Sequence, residues 1–147
     1  MAEEGVPFYE QEYQQENSHF YPVIEISMGK TKKERIKVLV DTGCSAGIAL
    51  FKEHIKKFNL DIGEKINDEP VPIGVADGHI IGADVYRAIV EINGEERTVE
   101  VVVIDPNILL GTEVHEEEIP LLGRDFLDNF DVLFKGKQKK VLFFKNL

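Results

Sequence analysis

The chain has 147 residues, of which 43% are hydrophobic and 30% charged, with a formal net charge of -10. That length suits one domain able to bury roughly two thirds of its unfolded surface. The acidic balance argues against a nucleic-acid binder, which needs a basic face. The single cysteine, Cys44, excludes an internal disulfide and a multi-cysteine zinc site, and it fits a reducing compartment.

In chain order, residues 1–18 are rich in Glu and Gln without an apolar period. They are expected to form a flexible acidic tail ahead of a domain spanning 19–147. The opening M-A-E-E-G-V-P-F-Y lacks the apolar core of a signal peptide, and no apolar run approaches a membrane span. The expected protein is therefore soluble and cytoplasmic, with no nucleic-acid or membrane partner.

Ile24, Ile26 and Met28 alternate with Glu25 and Ser27, and Ile36, Val38 and Val40 alternate again beyond a polar turn at 29–34. A period of two on both sides of a turn predicts a β-hairpin. Phe51, Ile55 and Phe58, with lysines between them, predict a short amphipathic helix. Val71 to Val75 leads into Asp77-Gly78, and Ala88 to Ile92 and Thr98 to Ile104 flank Asn93-Gly94. Both dipeptides favour the positive φ angles of tight hairpin turns. An irregular acidic stretch at 110–119 precedes P-L-L-G-R-D-F-L-D-N-F, read as a strand entering a second short helix, and then D-V-L-F and V-L-F-F, read as a closing hairpin. About eight or nine short strands at such spacing predict a barrel or sandwich. The histidines, His19, His54, His79 and His115, lack metal-ligand spacing and default to the surface.

The apolar run I-K-V-L-V ends abruptly at Asp41-Thr42-Gly43. A lone Asp at a strand end is most often a turn former that accepts a nearby backbone N–H. D-T-G arises by chance in roughly one chain in forty of this length, so its setting has to decide. Here a buried strand presents the carboxylate at its rim, Thr42 supplies a hydroxyl, and Gly43 clears space for another backbone. Far downstream, L-L-G-R-D-F-L repeats the pattern of an apolar strand, a glycine and a helix.

With V-D-T-G-C-S at Val40 to Ser45, the Asp-Gly turn at Ala76 to His79 and L-L-G-R-D-F-L at Leu121 to Leu127, the chain resembles the retropepsin-like aspartic peptidases. The resemblance spans about His19 to Phe144. It implies a mainly β, closed antiparallel barrel-like domain with two short helices. It also implies a homodimer in which each chain contributes one D-T-G loop. Asp41, Thr42 and Gly43 would be catalytic. Leu122, Gly123, Arg124 and Asp125 would support the loop from behind. Ala76 to Gly82 would form a flap over an extended peptide or unfolded protein. Cys44, Ser45, Val75, Ala76, Asp77, Gly78, His79, Ile80 and Ile81 would contact that substrate. Neither metal nor cofactor is implied.

The chemistry asks for the same arrangement. Metal-free peptide hydrolysis by water needs one group to take a proton and another to give one. Two adjacent carboxylates sharing a proton supply both. The sequence holds no second D-T-G or D-S-G, so the second carboxylate must come from another copy of the chain across a twofold axis. The chain departs from the family pattern at Cys44, where Ala or Ser is common. It departs also at Ser45, where retroviral members carry an acid that pairs with the late arginine, which leaves Arg124 without that partner. The rival reading keeps the fold and drops the catalysis, giving a weakly active or inactive dimerisation or peptide-binding module. Phosphoryl chemistry through an aspartyl phosphate is disfavoured, because no glycine-rich phosphate loop accompanies Asp41.

Overall fold

The computed structural model describes residues 5–74, 80–105 and 119–146, with the backbone alone at residue 81. Its elements are β1 (Tyr9–Glu12), β2 (Gln14–Glu16), β3 (His19–Tyr21), β4 (Val23–Gly29), β5 (Glu34–Val40), β6 (Ile48–Phe51), α1 (Lys52–Lys57), β7 (Val71–Gly74), β8 (Ile80–Ile92), β9 (Glu95–Ile104), β10 (Leu121–Leu122), α2 (Arg124–Leu127), β11 (Asp131–Lys135) and β12 (Lys140–Phe144).

Alternation builds the barrel. In β5, Ile36, Val38 and Val40 are buried while Arg35 and Lys37 are exposed, as side chains of period two require. The strands run β4-β5-β10-β6-β9-β8, and a β4–β8 pairing closes them into a six-stranded barrel with β7 added on β8. Asn93 at φ 50 and Gly94 at φ 90 turn β8 into β9, the conformation that the Asn-Gly pair predicts. Inside the barrel, Val38, Ile48, Val101, Leu122 and Phe126 have no exposed surface. Each such side chain contributes about 1.5–3 kcal/mol on burial.

Two pairings depart from an antiparallel barrel. β10 lies between β5 and β6, parallel to the first and antiparallel to the second, and β6 runs parallel to β9. The loop between β5 and β6 therefore spans the two-residue strand β10, so the Asp41 loop and the Gly123 turn meet at one end of the barrel.

Order starts earlier than the composition of residues 1–18 suggests. β1 pairs antiparallel with β12, Tyr9 opposite Phe143, and extends the β11–β12 hairpin into a three-stranded sheet. The Phe8 ring packs tilted against Phe130 and edge-on against Phe143, at centroid distances of 5.1 and 6.3 Å. Aromatic anchors thus hold a segment whose Glu and Gln side chains face water. β2 and β3 form a separate exposed hairpin.

His54 is also a correction to its expected surface position. It is buried at 2% exposure, between the Phe51 and Phe58 rings at 5.6 and 5.7 Å. Its Nδ1 accepts the Phe51 N–H at 3.0 Å, satisfying a donor at the start of α1. His19 is exposed, while His79 and His115 lie outside the described residues, as does all but residue 119 of the acidic stretch at 110–119.

Candidate active site

Asp41 follows the last residue of β5, where its N–H donates to the Leu122 carbonyl at 2.9 Å. The chain then turns sharply. Cys44 N–H donates to the Asp41 carbonyl at 3.2 Å, and Gly43 N–H donates to Asp41 Oδ1 at 2.8 Å. The carboxylate is thus held by its own loop, half-buried, while Thr42 and Gly43 are exposed beside it. A Cβ on Gly43 would sit 3.2 Å from Asp41 Oδ1, tight against the carboxylate that the glycine donates to.

Leu122, Gly123 and Arg124 make backbone contacts with the Asp41–Gly47 segment, each of a different kind. The Leu122 carbonyl fixes Asp41. Gly123 N–H donates to the Gly47 carbonyl at 2.9 Å, and Arg124 N–H donates to the Cys44 carbonyl at 2.8 Å. Gly123 is required for closeness and not for backbone freedom, since its φ is -116. A Cβ there would overlap the Ala46 carbonyl oxygen and lie 2.5 Å from that of Cys44. Asp125 reaches further back, where its Oδ2 accepts the Glu100 N–H at 2.8 Å and ties α2 to β9. Arg124 is exposed, and its guanidinium makes no ion pair among the described residues.

Cys44 is half-buried against Gly123. Burial pushes its thiol pKa up, and the Asp41 charge adds to the rise. A thiol so disposed is a poor nucleophile at neutral pH, which agrees with a packing role. Ser45 is exposed.

The predicted substrate contacts divide. Val75 to His79 lie outside the described residues. On either side of them β7 and β8 pair antiparallel, Gly74 opposite Ile80, with Ile80 75% exposed. The Ile81 side chain is not described. Among the described residues no group of three or more His, Cys, Asp or Glu stands close enough to hold a metal ion, and no helix is long and apolar enough to cross a membrane.

The sequence reading missed a cavity of about 620 Å³ on the outer face of the sheet beside this loop. Its floor is the row Leu39, Leu121 and Ala49, abreast in β5, β10 and β6. Leu39 is two residues before Asp41, and Leu121 precedes the residue whose carbonyl holds Asp41. Phe51, Ile104 and Ile119 extend the wall. The available signal was apolar residues at outward positions of amphipathic strands, Leu39 between exposed Lys37 and half-buried Asp41 for example.

A closed barrel, a D-T-G loop and a glycine turn packed behind it define a retropepsin-like fold. The comparisons agree. The EIAV protease in complex with the inhibitor HBY-793 superposes with a TM-score of 0.54 at 20% identity, over 79% of this chain and 93% of that one. A retropepsin-like aspartic protease from Rickettsia conorii superposes with a TM-score of 0.55 at 23% identity, over 92% of this chain and 91% of that one. No protein-family model matches the chain, and no curated protein matches it in sequence.

Proposed function

We propose that the protein is a homodimeric aspartic endopeptidase in which two Asp41 carboxylates, one per chain, activate a water molecule. The observation that carries this reading is the Asp41 loop. One oxygen of the carboxylate accepts Gly43 N–H, the loop is held from behind by Leu122, Gly123 and Arg124, and its exposed tip leaves room for a twin. In the dimer the two carboxylates share one proton, because neighbouring like charges do not both ionise cheaply. The ionised member takes a proton from water as its oxygen attacks the peptide carbonyl carbon. The protonated member gives its proton to the carbonyl oxygen, and the amine then leaves with a returned proton. Thr42, exposed at the loop tip, would bond across the twofold axis. Residues 76–82 would close over the peptide through main-chain hydrogen bonds, and the Leu39–Leu121–Ala49 cavity would take a side chain of that peptide. The compartment that suits a free Cys44 is a reducing one such as the cytoplasm.

Two measurements test the reading. Peptidase activity toward an unfolded protein should appear in the wild type and vanish in Asp41→Asn. Solution mass at micromolar concentration should correspond to two chains, with or without an aspartic-protease transition-state inhibitor. A strictly monomeric protein whose activity survives Asp41→Asn would overturn it. A dimer without activity would instead favour the binding-module reading.

A further inference from the structure

The cavity beside Asp41 is not walled by the barrel alone. Its rim is the β2–β3 hairpin, which contributes Gln14, Glu16 and Tyr21. Register places these on one face, since Gln14 stands opposite Tyr21 and Glu16 opposite His19. The hairpin is anchored at the catalytic end of the barrel, where Val40 N–H donates to the Pro22 carbonyl at 2.9 Å one residue before Asp41. Among the described lining residues Glu16 is the only charged one, and none is basic. The Glu16 carboxylate makes no ion pair or hydrogen bond among the described residues. A wall of Leu39, Ala49 and Leu121 with one uncommitted carboxylate at its rim is chemically two-ended.

We infer that this cavity selects a peptide side chain with an aliphatic stem and a cationic end, lysine or arginine, and that Glu16 is the specificity-determining residue. This rests on the peptidase reading for the identity of the ligand as a peptide. A long basic side chain lays its methylenes along apolar surface and keeps its charge at the wet end. Glu16 is exposed, so pairing there carries little of the desolvation penalty that a buried ion pair incurs. A purely apolar side chain would gain the wall and forgo the carboxylate, and an acidic one would meet repulsion. The chain's net charge of -10 favours the approach of cationic peptides in the same direction.

The test uses the full chain carrying Asp41→Asn, so that peptides bind without being cut. Fluorescein-labelled octapeptides of a Val/Leu background carry Lys, Arg, norleucine or Glu at one position, walked along the peptide, and binding is read by anisotropy. At one position Lys and Arg should bind about threefold to fivefold tighter than norleucine, the range of an exposed ion pair, and added salt should weaken the preference. Glu16→Gln should erase that preference, and Glu16→Lys should transfer it to the Glu peptide. A merely structural hairpin would not produce that inversion. The same rank order in all three proteins overturns the inference, and so does failure to bind any of the peptides. A Glu16-dependent preference in a wild-type protein that cleaves nothing sinks the peptidase reading and supports this one. Cleavage with a preference indifferent to Glu16 does the reverse.

Discussion

Two aspartates in loops of this molecule are held in opposite ways. The Asp61 side-chain oxygen Oδ2 accepts the Thr31 hydroxyl at 2.6 Å, the Thr31 N–H at 3.0 Å and the Lys32 N–H at 3.1 Å, while its carbonyl accepts Lys30 N–H at 2.6 Å. It closes the β4–β5 turn, and the bond from the Thr31 hydroxyl, helped by the two N–H donors, lowers its pKa to about 2. Asp41 accepts one N–H, from Gly43. A carboxylate that takes several fixed donors is stabilised in its charged form and serves the fold. One that keeps acceptor capacity open at an exposed loop is left able to accept further hydrogen bonds from outside its own chain segment. The contrast lies in what surrounds each acid, since the residue type is the same.

Substitution should separate the two roles. Asp41→Asn should reduce peptidase turnover by about 10²- to 10⁴-fold, the usual worth of a positioned acid or base. Its thermal midpoint should stay near the wild type, read by circular dichroism alongside the peptidase assay. A large loss of stability would return Asp41 to the structural class.

Gly123→Ala tests whether the loop needs close backbone contact from behind. The added methyl overlaps the Ala46 carbonyl, so the Cys44 to Gly47 segment must shift. A stability loss of about 1–3 kcal/mol is expected for such overpacking, together with reduced turnover. Denaturant unfolding and the same assay report both. A variant as stable and active as wild type would mean that the contact is slack.

Asp61→Asn should spare activity and show a pH signature. The folded-state pKa lies below the unfolded value of 3.8, so the stabilisation is fully present above pH 3.8 and is lost as pH falls through about 2. The urea midpoint of the variant should trail the wild type at neutral pH, and the gap should close between pH 4 and pH 2, roughly the window of that shift. A gap that does not change with pH would remove Asp61 from the account of acid sensitivity.

The smallest effect belongs to Asp125→Ala, which frees the Glu100 N–H but leaves Arg124 N–H on Cys44. About 0.5–1 kcal/mol is expected for that exposed bond, with hydrogen exchange at Glu100 faster than in the wild type. Unchanged exchange would show that the Asp125 carboxylate does not hold β9.

Much of the site can be read from short stretches. Asp41-Thr42-Gly43 at the end of an alternating strand, and Gly123-Arg124 ahead of an apolar helix, are local patterns, and the two sit together in the structure. Asp125 reads as part of that support, yet its partner, Glu100, lies on a strand that no neighbour in sequence points to. The Leu39, Leu121 and Ala49 row is invisible without the register that lines up three strands distant along the chain. Composition misleads at Tyr9 to Glu12, where Glu and Gln conceal a strand that Phe8 and Tyr9 pin to Phe143. His54 misleads in the same way, because its burial follows from the two phenylalanine rings that pack around it.

The sequence by itself determined what neighbours along the chain decide. These are the period-two strands, the Asn93-Gly94 turn, two short helices and a carboxylate at a strand end, all consequences of local backbone sterics and side-chain alternation. Only the tertiary structure decided that β10 inserts between β5 and β6, that Gly123 meets the carbonyls behind Asp41, and that a hairpin bearing Glu16 rims an apolar cavity. Those depend on strand register and on closing long loops, where small differences in packing energy choose among many pairings that the local pattern leaves equal.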